Sequence, residues 1–197
     1  MNRKILYLTL GVCIAWLSGG CGIFTEPSYT VTHNYDLKTP TALETSGFDV
    51  TILPFASDTA GRYKMVARSG VELYQDDYNR WTQTPSMLLT RYLRMALPED
   101  HDVRKGTEPV YELSGVVLAF EADLKTATAF LCVRYSIMNQ KTGKMLRNGL
   151  ARYHVPLNKK LPLPDAFALA MSEAAEKFVM ELYSVMKQLK GNAGKQA

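Results

Sequence analysis

Histidine, cysteine and tryptophan are scarce in this 197-residue chain, at three, three and two copies. No H-E-x-x-H, C-x-x-C, G-x-S-x-G or phosphate-cradling glycine loop occurs, which removes the common metalloprotease, thiol-redox, hydrolase and nucleotide signatures. His33, His101 and His154 fall in separate segments. Asp100-His101-Asp102 is a local set of metal-ligand types, but a solvated loop accounts for it better. Asp76 and Asp77 look like paired carboxylates, yet neighbours on an extended segment point apart, so a solvated turn is preferred. Neither an enzyme, a catalytic residue, a metal site nor a cofactor is expected. A large charge of one sign is also missing. The formal net charge of +4 includes Arg3 and Lys4, and the remainder is too small to argue for nucleic acid. A membrane-spanning run is lacking as well: the uncharged stretch Ile5 to Leu17 is shorter than the roughly 20 apolar residues a span needs.

What that first stretch does have is the layout of an export signal. Arg3 and Lys4 precede the apolar run, and Ser18, Gly19 and Gly20 lead into Cys21. Small residues directly before a cysteine resemble a bacterial lipobox, although Ser18 stands where Leu is usual. Residues 1–20 are therefore read as a lipoprotein signal peptide and Cys21 as the lipid-attachment site, with a covalent lipid in place of any cofactor. Several acyl chains, at roughly 0.8 kcal/mol per buried methylene, would make attachment to a membrane effectively permanent. Gly22 after the cysteine is not the Asp that retains such proteins at the inner membrane, so the expected location is the periplasmic face of the outer membrane. Cys132, in the apolar run Phe130 to Val133, is then left as a buried structural thiol.

The rest of the chain is one domain's worth of sequence with a real core, 47% of all residues being hydrophobic. Residues 21–46, rich in Thr, Ser and Pro, read as a lipidated tether with one short strand around Tyr29 to Thr32. Alternation predicts a strand over Phe48 to Phe55 and an extended segment over Met65 to Tyr74, where Gly70 suggests a bulge or a close approach. Thr84 and Pro85 open a helix that Pro98 stops. Val110 to Asp123, Ala127 to Asn139 and Met145 to Val155 read as a three-strand meander. Strict alternation through the first of these strands puts Phe120 on the opposite face from Tyr111 and Leu113, which predicts burial on both faces in its second half. Gly143 sits where a hairpin turn needs positive φ. The strongest period is the last. Phe167, Met171, Ala174, Phe178, Leu182 and Leu189 stripe a helix from Pro164 to about Lys190, long enough to cover a sheet. The expected fold is a single α+β periplasmic domain at 47–191, a mainly antiparallel sheet with two helices packed on it, followed by a tail at 192–197.

One polar stretch, Tyr74 to Trp81, concentrates Tyr, Arg and Trp, the types enriched at interface hot spots. Two readings of it stay open: a partner contact, or a Trp81 that staples the helix start to the core with Arg80 paired to a nearby carboxylate. Met65-Val66-Ala67-Arg68, Glu72-Leu73, Tyr78-x-Arg80-Trp81, Pro85-x-Met87-Leu88 and Leu93 to Leu97 together resemble the central motif of the ABC-type transport auxiliary lipoproteins, the family that includes the PqiC proteins. Lys141 to Lys144 before a strand and the long C-terminal helix extend the likeness over most of residues 48–190. Two departures stand out: Tyr29-Thr30-Val31 replaces a Tyr-Leu-Leu strand after the lipid cysteine, and Thr82-Gln83 follows Trp81 in place of Ala with an acidic residue. The resemblance implies a non-enzymatic subunit that docks or anchors a lipid-transport conduit at the outer membrane. Its implied partners are an MCE-domain periplasmic protein and inner-membrane transport subunits, with homo-oligomerisation compatible. Arg68, Tyr78, Arg80 and Trp81 are the implied partner-binding residues. The alternative is a structural or assembly lipoprotein, LptE-like or cell-wall-associated.

Overall fold

The computed structural model describes residues 30–44, 48–98 and 110–193. The signal segment, Cys21, the first part of the tether and Asp100-His101-Asp102 lie outside the described residues. The chain divides into the units Met1–Val31 and Thr32–Ala197, and every element below belongs to the second.

Among the described residues eight strands form one sheet, organised on the longest of them. They are β1 (His33–Tyr35), β2 (Asp49–Ile52), β3 (Ala56–Ser57), β4 (Lys64–Ser69), β5 (Glu72–Trp81), β6 (Val110–Asp123), β7 (Thr128–Asn139) and β8 (Met145–Pro156). β6, β7 and β8 make the expected antiparallel meander, and Gly143 has φ +66° in the turn between the last two. The other edge of β6 is covered by three short segments in succession, β2, β3 and β4, each running parallel to it. β1 pairs parallel with the end of β5, and β4 with β5 antiparallel. The sheet is thus mixed, which corrects the expectation of a mainly antiparallel one; the α+β class stands. Parallel pairing needs long crossovers: the chain passes through α1 (Pro85–Ala96) before β6 and through β2 to β4 between β1 and β5, and a strand's own alternation carries no mark of it.

Three local expectations change too. The extended segment over Met65 to Tyr74 is a hairpin, and Gly70, at φ +66°, is in its turn instead of forming a bulge. The strand over Phe48 to Phe55 breaks into β2 and β3. In β6 the register shifts between Val117 and Ala119, so Leu118 is an extra residue. That bulge returns Phe120 and Ala122 to the face already carrying Tyr111, Leu113 and Val117. All five are buried, and Leu118 is only half-buried. Apart from Val110 and Glu121, which are buried on the other side, the strand buries one face, and the bulge explains why simple alternation put Phe120 on a second.

Both helices cover that face. α1 starts at Thr84 with Pro85 in its first turn, and Leu88, Leu89, Tyr92 and Leu93 point into the core. α2 (Leu163–Ala193) lays Phe167, Met171, Ala174, Phe178, Leu182 and Met186 across β7 and β8, all at most 2% exposed. Close approach is possible over β6 because Gly115 has no side chain: a Cβ there would lie 2.4 Å from the Phe55 ring. Phe55 in turn meets Phe178 of α2 edge-on at 6.5 Å. Among the described residues no helix is long and apolar enough to cross a membrane.

Candidate docking surface

The polar stretch singled out in the sequence forms a turn built out from the β4–β5 hairpin. Lys64 pairs with Arg80 and Val66 with Gln75, so one residue of β4 faces the four residues Asp76 to Asn79. Those four loop outwards around a carboxylate. Asp76 accepts hydrogen bonds from the amides of Tyr78 and Asn79, each at 2.9 Å, and from Asn79 Nδ2 at 2.7 Å. Burial raises the Asp76 pKa, but the bonds from Asn79 and Tyr78 outweigh it and hold the carboxyl below the usual range. Lys64 pairs with Asp77 on the outside of the turn, and Arg80 donates to the Asp77 carbonyl at 3.3 Å. Asp76 and Asp77 therefore shape a turn, as the sequence suggested.

This turn presents Tyr78, which is 53% exposed, and Arg80. A second turn brings more of the same chemistry beside it. Gly61 and Arg62 have φ +85° and +46°, and the left-handed Arg62 is the kind of backbone outlier found at functional positions. Gly61, Arg62, Tyr63, Lys64, Gln75 and Arg80 line a groove of about 410 Å³. Tyr63 is 48% exposed, and Arg62 makes no ion pair among the described residues. The surface is aromatic and carries Arg62, Lys64 and Arg80 against the carboxylates of Asp76 and Asp77, a small cationic excess. It suits an acidic protein surface with apolar groups for the tyrosine rings to cover. Arg62 and Tyr63 escaped the sequence reading, because the loop they sit in shows neither period nor motif.

The structure brings together two of the four sequence-chosen contact residues and separates the others. Trp81 is 2% exposed, its ring edge-on to Phe120 at 5.1 Å and to Phe167 at 5.3 Å. It is the staple of the two readings, and it locks the foot of the turn to the core. Arg68 stands at the far end of the hairpin with both arms of its guanidinium on the Glu121 carboxylate, one at 3.1 Å. Glu121 is 7% exposed, and the hydrogen bond between the two is the main influence that raises the Arg68 pKa further.

Elsewhere the polar groups are structural. Ser172 lines a cavity of about 460 Å³ with Lys38, Tyr92 and Glu176, but its hydroxyl donates to the Ala168 carbonyl at 2.7 Å and accepts from the Lys38 amide at 3.0 Å. Burial, and then Glu176, push Tyr92 up to about 12. Glu181 of α2 accepts from Tyr135 at 3.1 Å and from Tyr153, and burial followed by this carboxylate raises both phenols. His154 stacks on Phe130 at 4.4 Å, while His33 lies in β1 across the sheet. No group of three metal-ligand types converges among the described residues.

No protein-family model matches this chain, and no curated protein does. Solved structures do. Protein XCC0632 from Xanthomonas campestris, of the DUF330 family, superposes with a TM-score of 0.65 at 15% identity, over 84% of this chain and 100% of that one. An uncharacterized protein gives a TM-score of 0.59 at 12% identity, over 79% of this chain and 99% of the other. This chain therefore has the fold of a DUF330 protein. The PelC dodecamer from Paraburkholderia phytofirmans matches at 12% identity over 70% of this chain and 92% of its own, with a TM-score of 0.37, too low to carry an argument.

Proposed function

We propose that this protein is a non-enzymatic envelope lipoprotein that docks a periplasmic partner through the Arg62, Tyr63, Tyr78 and Arg80 surface. The partner class is the one implied by the sequence resemblance, an MCE-domain protein with its inner-membrane ABC-type transport subunits. The lipid on Cys21 would hold the domain at the periplasmic face of the outer membrane, where it anchors the conduit that moves lipid between membranes.

The observation that carries this reading is the carboxylate-centred turn. Asp76 spends three hydrogen bonds on fixing Tyr78 and Asn79, and Trp81 fastens the end of the turn to the core. Such order costs conformational entropy; Asn79 to Trp81 also hold β1 at the sheet edge, but the exposed Tyr78 gains nothing from it in the free protein, whereas it lowers the cost of ordering Tyr78 and Arg80 on binding. The Tyr78-x-Arg80-Trp81 motif falls on this turn. Affinity purification of the tagged lipoprotein from detergent-solubilised membranes is the test. Recovery of an MCE-domain or ABC component is expected. Recovery of a β-barrel or of peptidoglycan instead would favour the assembly alternative and sink the transport reading.

A further inference from the structure

Three connections meet at one end of the sheet, and each presents aliphatic side chains to solvent. β4 and β6 run towards this end, β5 and β7 leave it, and β8 returns to it before α2 begins. The β4–β5 turn carries Val71, which is 94% exposed; the β6–β7 turn carries Leu124 at 41%; and the β8–α2 connection and the first residue of α2 supply Leu161 and Leu163 at 37% and 45%. Leu124, Leu161 and Leu163 also border a shallow groove of about 190 Å³, which joins two of the tips into one apolar surface. The turn at the opposite end of β7 and β8, Gln140 to Lys144, has no aliphatic side chain at its tip.

Charge surrounds the aliphatic tips. Lys125, Lys159 and Lys160 are all exposed at the same end. Three carboxylates share this end: Asp123 accepts the amides of Lys125 at 2.9 Å and Thr126 at 3.2 Å, Glu72 accepts from Tyr74, and Asp165 stands in the first turn of α2, while the lysine side chains remain exposed beside the tips. Aliphatic tips ringed by lysines match the boundary between acyl chains and anionic headgroups, where the tips lie among the chains and the ammonium groups stay with the phosphates. The direction of β1 adds an independent argument. It runs parallel to β5, so the chain enters His33 from the side of these tips. From Cys21 to His33 is twelve residues, a reach of at most about 40 Å.

The geometry points to this end of the domain as a membrane-contact surface, seated on an anionic phospholipid layer by Val71, Leu124, Leu161 and Leu163. The domain is then held in a fixed orientation by its own tips, and the docking surface at Tyr78 and Arg80 is set along the flank of the sheet. This orientation rests on the reading of Cys21 as the lipid-bearing residue, while the tips' affinity for the surface does not.

The test uses the mature protein purified from membranes and reconstituted into vesicles of phosphatidylethanolamine and phosphatidylglycerol. Single thiols are placed by Val71→Cys, Leu124→Cys or Leu161→Cys and, as controls, by Met87→Cys on α1 or Met145→Cys at the other end of β8, both exposed in the native chain. Each carries an environment-sensitive dye, and buried Cys132 stays unlabelled. Quenching by brominated acyl chains should be at least about threefold stronger at the tips than at the controls, and weaker when phosphatidylcholine replaces phosphatidylglycerol. Equal quenching at both ends overturns the proposal. So does protection of the tips only when a partner protein is added. Failure of the anchor reading appears separately, as no labelled fatty acid on Cys21; the same dyes are then read on processed protein added to vesicles from solution.

Discussion

Replacing Trp81 tests whether the residue is a structural staple, and does so without any knowledge of the partner. Its ring is buried between Phe120 and Phe167, so Trp81→Ala removes a large buried side chain and leaves a cavity under the foot of the Asp76 turn. Aromatic-to-Ala changes in cores cost about 3–5 kcal/mol. With a urea dependence of roughly 2 kcal/mol per molar, the unfolding midpoint should fall by about 2 M. A domain of ordinary stability, about 5–15 kcal/mol, could lose most of its folded population in this way. Trp81→Phe therefore supplies the control. It keeps a ring against both neighbours and deletes Nε1, a buried N–H with no hydrogen-bond partner among the described residues, whose desolvation costs about 1–3 kcal/mol. The Phe variant should accordingly lose less than about half of what the Ala variant loses. The native protein offers its own probe, because with residues 1–20 removed Trp81 is its single tryptophan. Urea unfolding followed by far-UV circular dichroism gives the midpoints, and iodide quenching of native fluorescence reports burial. A midpoint shift under about 0.3 M for Trp81→Ala, or ready quenching of the native ring by iodide, would refute the packing argument.

Other perturbations probe separate parts of the account. Asp76 has a lowered folded pKa, so its contribution is complete above the unfolded value near about 4 and is lost as pH falls through the folded one. Hydrogen exchange at the Tyr78 and Asn79 amides should show constant protection down to about pH 4 and a loss below it, and Asp76→Ala should abolish protection throughout; pH-independent protection that survives the substitution contradicts the turn's design. Glu181→Gln removes the charge that helps to raise Tyr135 and Tyr153, so ultraviolet titration should find both phenols ionising at lower pH than in the native protein. In the native chain the stability from these raised phenols is complete below about pH 10 and is lost as pH climbs through their folded values. Gly115→Ala would place a Cβ 2.4 Å from the Phe55 ring and 2.7 Å from the Arg134 carbonyl; a cost of about 1–3 kcal/mol is expected in chemical unfolding, partly recovered by adding Phe55→Leu.

What could be read from the sequence follows from how local each signal is. The ends of α1 were legible because Thr84, Pro85 and Pro98 act within one turn of the chain, and the α2 stripe because its period repeats over about six turns. The β7–β8 hairpin announced itself through Gly143. Parallel pairing of β2, β3 and β4 along β6 was invisible, since its register is decided by segments far apart in the chain. The Leu118 bulge was missed for a related reason: an inserted residue looks like ordinary alternation until the partner strand shows the slip. At the proposed docking surface, composition pointed to Tyr78 and Arg80, which the structure places together on one exposed turn. It also pointed to Trp81, whose aromatic ring serves the core, and to Arg68, whose charge serves Glu121. Residue type alone cannot separate an exposed hot spot from a buried staple; Arg62 and Tyr63 joined the site only when the fold placed Lys64 opposite Arg80.

The central claim is that the cationic, aromatic turn recruits the partner. Arg62→Glu with Arg80→Glu reverses two exposed charges without touching the core. Recovery of the MCE-domain or transport component with this variant, measured against the native lipoprotein by quantitative mass spectrometry, is the most direct test. Loss of a guanidinium hot spot costs at least about 2 kcal/mol, so recovery should fall by about thirtyfold or more while the unfolding midpoint stays within about 0.3 M of native. Undiminished recovery by the double variant, with its fold intact, would contradict the account.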